Sequence, residues 1–556
     1  MSLLEQASLV MIPSGYKEDV VYCPKPTDGS GDLTFTRASD GTRVNSQGLV
    51  ERVPWNFLEQ SSNLGSWSNA GVTITTSITD AYGTTNAITM SNISSGNITD
   101  YIVKYYNAMA LPTGTQINYS VYLKGSGTIG VAIERSLTGD YFIDTQIIAL
   151  TNTWTRYDFA YTIPVGVNAN GIGFYVTNLT GTTATSVDIC FPQINYGSTA
   201  KPYFPTTDRL NVPRLTYQNG GGGCPSLLLE PQRTNLITYS ENFDQAYWPH
   251  YTTGAGSVTK ILNNAISPDG TQNADEIQLT RTALTDDALT YQQQGVGSAT
   301  YSRTIYLKAA RSQDVGKKIQ IWSYDGSSVK NVYEPVLTAD WVRFDAGTST
   351  GALVEILSFG YLSSYTYPST SGLDVRFYAW GAQGEAGSYP TSYIPTTSAA
   401  VTRVADAAYK TGISSLIGQT EGSVFLDFTV SNLSETNNEK VLWYMRGGGT
   451  GERFVTLLNI GQLSYIENNG STIATISKTG LTVGRHKCAI AYATNDFVFY
   501  VDGVQIGTDT SGTPSGFSEF GLQYFVSAYA GSQNVNQAVL FKTRLTNTEL
   551  AALTTL

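Results

Sequence analysis

Chemistry at neutral pH needs side chains that can move a proton or offer an electron pair, and this sequence is poor in them. It holds only two histidines, His250 and His486, so the commonest general base is nearly missing. His250 follows Trp248-Pro249 in a loop, and His486 stands between Arg485 and Lys487 at a strand start. Both read as surface or capping residues, and neither belongs to a His-Glu-x-x-His metal pattern. A glycosidase would need two carboxylates facing one groove, but the C-terminal part carries no Glu-x-Asp-x-Glu-like run. Gly447-Gly-Gly-Thr-Gly451 lacks the Lys-Ser or Lys-Thr that closes a phosphate-binding loop, and it lies between two predicted strands, so it reads as a hairpin. Asp325-Gly326 and Asp502-Gly503 could lend oxygens to calcium, yet the spacing of a calcium loop is absent and such dipeptides are ordinary turn formers. Cys23, Cys190, Cys224 and Cys488 have no Cys-x-x-Cys spacing, which argues for reduced, mostly buried thiols rather than zinc or disulfides. No catalytic residue, metal ligand set or cofactor is expected, and ligand-binding residues stay unassigned.

Aromatic side chains are the remaining candidates. Trp67, Trp154, Trp248 and Trp341 could stack on a sugar ring, but their recurrence in matching contexts is explained first by core packing. A glycan site, if present, is expected in the last part of the chain near Trp443, Tyr444 and Tyr465, where core packing explains the residues equally well.

The elements that would position such groups are strands. Charged residues make up only 14% of the 556 residues, against roughly 25% in an average globular protein, while Gly, Thr, Ser, Asn and Tyr are plentiful. β-Branched and aromatic residues fit the pleat, and Gly and Asn supply turn dihedrals. Ile117-Asn-Tyr-Ser-Val-Tyr-Leu123, Thr155-Arg-Tyr-Asp-Phe159 and Asp374-Val-Arg-Phe-Tyr-Ala-Trp380 alternate with period two, as half-buried strands do. Phe497-Val-Phe-Tyr-Val501 and Val504-Gln-Ile506 flank Asp502-Gly503 as a hairpin would. The convincing helix is terminal, Thr546 to Leu553, with Thr546 as cap and Glu549 three residues on.

The chain also repeats itself. Glu51 and Glu230, Asn56 and Asn235, and Asn63 and Asn242 share one offset (230 − 51 = 179). Trp154-Thr-Arg156-Tyr-Asp158 matches Trp341-Val-Arg343-Phe-Asp345 (341 − 154 = 187), and Tyr203-Phe-Pro205-Thr-Thr matches Tyr393-Ile-Pro395-Thr-Thr (395 − 205 = 190). A slowly growing offset with preserved block order is the mark of duplication followed by loop insertion. The fold class expected is all-β: an N-terminal attachment segment (1–50), a jelly-roll-like β-sandwich (51–207), a linker rich in glycine around Gly220–Gly223 (208–226), a homologous β-sandwich (227–405) and a third sandwich (406–556).

Two blocks resemble known families. Cys224-Pro-Ser-Leu-Leu-Leu-Glu230-Pro-Gln-Arg233-Thr-Asn235-Leu through Ser240-Glu-Asn-Phe-Asp-Gln-Ala-Tyr-Trp248 is similar to a carbohydrate-binding-like module widespread in tailed-phage tail and fibre proteins; the first copy lacks the Pro-Gln-Arg part. Ser2-Leu-Leu-Glu-Gln-Ala-Ser-Leu-Val through Arg37-Ala-Ser-Asp-Gly-Thr-Arg43-Val-Asn45-Ser-Gln-Gly48-Leu resembles the start of such proteins. Phe499-Tyr-Val-Asp-Gly503-Val and Ala538-Val-Leu-Phe-Lys-Thr-Arg-Leu-Thr546-Asn-Thr-Glu-Leu550 resemble the concanavalin A-like or laminin G-like superfamily. The resemblance implies a virion structural protein on the particle exterior, made in the host cytoplasm. It would be joined to other virion proteins through its N-terminal segment, a homotrimer by analogy, and it would adhere to host-surface glycans. A purely architectural role and a polysaccharide depolymerase are the alternatives.

Net charge of −11 disfavours attraction to nucleic acid. No signal peptide or transmembrane run is expected: Met1-Ser-Leu-Leu-Glu-Gln-Ala lacks a basic region and Leu9-Val10-Met11-Ile12 is short.

Overall fold

A computed structural model describes residues 2–106, 115–135, 142–164, 171–218, 220–363, 374–433, 440–447, 451–458, 461–469, 471–514, 516–523 and 531–556. The protein is nearly all β, 52% strand and 4% helix, in antiparallel sheets. It divides into two compact units, one of residues 1–53, 211–261 and 276–556, the other of residues 54–210 and 262–275.

The second unit contains the first β-sandwich. One five-stranded sheet runs Phe142–Ala149, Thr128–Arg135, Ile172–Thr177, Tyr101–Tyr106, Ser68–Ala70; the other runs Thr155–Thr162, Gln116–Gly125, Ser186–Tyr196, Ala87–Ser91, Thr73–Ile78. Alternation decides what each strand buries. Ile117, Tyr119, Val121 and Leu123 point inward and meet Ile102, Val131, Ile133, Phe174 and Val176 from the facing sheet.

The first unit contains the second β-sandwich apart from residues 262–275, and its sheets follow the same order. One runs Val329–Tyr333, Gln320–Tyr324, Glu355–Tyr361, Ala288–Tyr291, His250–Thr252; the other runs Val342–Leu353, Val296–Ala309, Asp374–Ala386, Ala274–Thr280, Ser257–Ala265. Two five-stranded sheets wired identically are the structural form of the sequence repeat.

The same unit also holds the C-terminal β-sandwich, and its composition differs from the expectation for 406–556 alone. Its sheets draw on three stretches of chain. Ala7–Met11 and Ser226–Leu229 both pair with Gln533–Phe541, and Leu33–Thr36 pairs with Ala407–Thr411. Leu9, Met11, Leu33, Phe35, Leu215, Leu227 and Leu229 share one core with Phe428, Trp443, Phe499 and Leu540. The N-terminal stretch read as an attachment segment is therefore folded into this sandwich. Within 208–226, read as a linker, Leu215–Thr216 pairs with Ser226–Leu229. Buried Val212 and Leu215 outweigh the glycines, which occupy only the turn between these strands.

A knot of buried charge joins these stretches. Arg37 donates to Asp406 at 3.0 Å, Arg214 donates to Glu230 at 2.8 Å and to Asp406, and Arg403 stands 3.1 Å from Glu230. Gln523 donates to the carbonyls of Glu230 (3.0 Å) and Asp406 (2.9 Å). Burial alone would raise the Glu230 carboxyl. The Arg403 and Arg214 guanidiniums, with Ser392, reverse this and hold it at about 2.

Turn and cap chemistry follow the sequence. Asp502 (φ 49°) and Gly503 (φ 80°) both lie in the left-handed region, as a two-residue type I′ hairpin requires. Asn547–Thr554 is a helix with the Thr546/Glu549 capping box, and its Leu550 packs on Phe425, Ala489 and Val539. A short helix, Leu3–Gln6, carries a Ser2/Glu5 capping box that the sequence reading passed over.

Candidate functional site

The residues repeated between the two sandwiches turn out to be scaffold. Asn56 donates to the Phe204 (2.9 Å) and Pro192 (3.4 Å) carbonyls and accepts from the Leu58 (3.1 Å) and Ile194 (3.3 Å) amides. Asn235 does the same with Ile394 (2.8 Å), Ala382 (3.1 Å), Ile237 (3.1 Å) and Gly384 (3.0 Å). Trp67 and Trp248 are buried and donate to the carbonyls of Gln60 (2.9 Å) and Tyr239 (3.1 Å). Arg156 and Arg343 reach the Lys201 (2.6 Å) and Thr391 (2.7 Å) carbonyls. The asparagines and arginines fasten the closing segment of their sandwich and the tryptophans fasten its opening one, so these polar groups are spent on structure. Trp154 is half-buried and donates to the Thr79 carbonyl (3.2 Å) with Lys124 over its ring; Trp341 is half-buried, 6.4 Å from Tyr378.

The site anticipated near Trp443, Tyr444 and Tyr465 does not exist as a surface. All three are 1% exposed or less. Tyr444 donates to Glu519 (2.8 Å) and Tyr465 to Glu467 (2.7 Å), whose carboxylate also takes Arg453 at 2.9 Å. Period-two aromatics look alike in sequence whether they line a groove or a core. The histidines also have structural surroundings: His486 is buried, 2.7 Å from Asp502 and 2.8 Å from the Thr482 carbonyl, while His250 lies exposed on a sheet-edge strand. The Asp325 carboxylate is taken by the Ser327 (2.9 Å) and Ser328 (2.7 Å) amides and by Lys330 (2.8 Å). The glycine run 447–451 joins two paired strands, and its residues 448–450 lie outside the described residues. Cys23, Cys190 and Cys488 are buried and Cys224 is exposed, all unpaired.

The surface that does gather binding chemistry lies on the first sandwich. Residues directly opposite in an antiparallel pair share a face. Tyr105 opposes Gly173, Val103 opposes Tyr175, Ala132 opposes Tyr175 and Glu134 opposes both Gly173 and Phe142. Ile102, Phe174, Val131 and Ile133 occupy the other side and fill the core, which turns this set outward. Tyr175 is central: Phe142 lies 5.0 Å away, Tyr101 5.4 Å and Tyr105 5.9 Å, each ring steeply inclined to it. The floor beside them is small. A Cβ on Gly173 would sit 2.8 Å from the Tyr105 ring, so glycine lets that ring lie against the sheet.

The polar end of this face has one direction. Tyr105 donates to Glu134 at 2.8 Å, and the Tyr175 and Tyr105 hydroxyls are hydrogen-bonded. Since Tyr105 spends its proton on Glu134, Tyr175 must donate to Tyr105. Burial, together with Glu134, pushes both phenols up, so they remain neutral donors. Tyr105 is 39% exposed. Tyr175 itself is buried beneath the others at 6% exposure, so the half-buried Tyr101 and Phe142 rings, the exposed Tyr105 ring and one carboxylate are what can meet an apolar ring face and accept a hydroxyl proton.

The matching sheet of the second sandwich puts Leu289 opposite Gly360, with Tyr291 and Trp322 opposite Ser358, and among the described residues it shows no such tyrosine cluster. The two copies thus agree in scaffold and differ on this face.

No family model matches the chain, and no curated protein does. Its structural neighbours include carbohydrate-binding modules, a sialidase and a phage tailspike domain, at low identity. One is the Ruminococcus gnavus IT-sialidase CBM40 bound to alpha2,3 sialyllactose: 14% identity, 25% of this chain, 84% of that chain, TM-score 0.22. Another is the CBM22-1-CBM22-2 tandem domain of Paenibacillus barcinonensis Xyn10C: 12% identity, 60% of this chain, 96% of that one, TM-score 0.19. A third is the enzymatically active domain of bacteriophage CBA120 tailspike protein 4: 16% identity, 26% of this chain, 22% of that one, TM-score 0.21.

Proposed function

We propose that this chain is a non-enzymatic structural protein of a tailed-phage particle, a homotrimeric head or tail fibre or appendage that holds host-surface glycans. The observation that carries the glycan part is the Tyr101, Tyr105, Phe142 and Tyr175 cluster beside Glu134 on the outer face of the first sandwich. A sugar has apolar ring faces and a rim of hydroxyls, and this face offers rings for the first and an acceptor for the second. The virion part rests on the sequence resemblance of residues 2–49 and 224–248. In this reading the folded N-terminal stretch and the C-terminal sandwich present the surface that meets other virion proteins. Several weak sites tethered in one trimer raise avidity by about 10² to 10⁴ without new contacts.

The test uses the full-length protein on intact host cells and on immobilised surface glycans, with light scattering for subunit number and a reducing-end assay. Saturable binding that Tyr105→Ala weakens at least tenfold, with no new reducing ends, is the expected result. New reducing ends would replace the proposal with a depolymerase. Binding to purified virion proteins but to no glycan would replace it with a purely architectural role.

A further inference from the structure

Resting on that reading, we infer that the tyrosine face of the first sandwich selects glycans rich in free hydroxyls and discriminates against those bearing carboxylate or sulfate groups. The inference follows from where the protons lie. The Tyr175 and Tyr105 hydroxyls are hydrogen-bonded to each other, and Tyr105 donates to Glu134 at 2.8 Å, so both donors beside the carboxylate are consumed inside the array. What its Glu134 end leaves for a ligand is acceptor capacity, above all the remaining carboxylate lone pairs. A sugar hydroxyl can give its proton there. A ligand carboxylate or sulfate can only accept, so it would set a second negative charge against Glu134 and leave that acceptor unpaired.

No described cation offsets this on the same face. Lys104 is paired in register with the core residue Phe174, which assigns it to the opposite side of the sheet, and its ammonium stands 3.6 Å from Glu59. The remaining face positions are apolar or small. Like-charge juxtaposition is how a site rejects the wrong ligand rather than merely binding the right one. Here the repulsive element and the proton acceptor are one residue.

The test titrates full-length protein with neutral cello-, xylo- and malto-oligosaccharides and, in parallel, with oligogalacturonate, sialyllactose and a sulfated oligosaccharide, at 20 mM and 500 mM NaCl. At least one neutral series should bind ten times or more tighter than every acidic ligand at low salt. The gap should narrow at high salt, because screening acts on the repulsion alone. Glu134→Gln should shift the neutral-to-acidic affinity ratio at least threefold toward the acidic ligand. Acidic ligands binding as tightly as neutral ones, or a ratio unmoved by both salt and Glu134→Gln, would overturn the selectivity while leaving glycan binding in place. Binding to no ligand of either class would overturn the glycan reading itself, and the selectivity with it.

Discussion

Asn56 and Asn235 occupy the same place in two separate sandwiches: each side-chain amide donates to two carbonyls of the closing strand and loop and accepts from two amides. Both are fully buried, so each asparagine is a rivet whose four bonds have no water to replace them. Asn56→Ala should cost about 2–4 kcal/mol and speed amide exchange at Leu58 and Ile194. Asn235→Ala should do the same at Ile237 and Gly384. Exchange read by mass spectrometry checks whether each change stays in its own sandwich.

Gly173 separates binding from stability. Replacing glycine by alanine in an extended strand recovers about 0.5–1 kcal/mol of backbone entropy, while the new methyl must push the Tyr105 ring outward. Gly173→Ala should leave the melting temperature nearly unchanged and weaken glycan binding severalfold, as calorimetry of both quantities would record.

Acid should loosen the buried charge knot. Glu230 is held at about 2 against an ordinary value of 4.5, so its folded carboxyl is the stronger acid. Its contribution, on the order of 3 kcal/mol, is complete above about pH 4.5 and is lost as pH falls toward 2. Denaturant melts should show this decline in wild type. Glu230→Gln should flatten it and cost about 3–5 kcal/mol at neutral pH, because Arg214 and Arg403 lose their shared counter-ion.

A fragment of residues 406–556 should not fold. It lacks Leu9, Met11, Val21, Leu33, Phe35, Leu215, Leu227 and Leu229, all buried in the core it would need. At about 1.5–3 kcal/mol for each such side chain, their loss exceeds the stability of an ordinary domain. Circular dichroism without a cooperative melt, and dye binding to exposed apolar surface, are the expected readings. A sharp transition would contradict the shared core.

Local features were legible in the sequence. The Asp502-Gly503 hairpin, the Thr546/Glu549 cap and the alternation of Ile117 to Leu123 are decided by dihedral preference and by neighbours within a few residues. The duplication was legible too, since Asn56 and Asn235 make the same four bonds in the two copies and stand at one offset in the text. What hid was long-range. The apolar stretch Leu9 to Met11 says nothing of a partner at 538–541, because pairing across a sheet leaves no period in the text. The Tyr101, Tyr105, Phe142 and Tyr175 face is spread over three segments, and only register brings it together. Trp443 misled because a strand aromatic looks the same on a core and on a surface.

The pairing of Ala7–Met11 with Gln533–Phe541 also sets a schedule. During synthesis the first strand leaves the ribosome more than five hundred residues before its partner exists (533 − 11 = 522). Both repeat sandwiches are made in that interval and have all their own strands to hand. The C-terminal sandwich closes last, around a strand that has waited throughout. A chain broken off before residue 533 would keep that strand bare, with its amides open to proteases and to other chains, so full translation is the condition for a closed sheet.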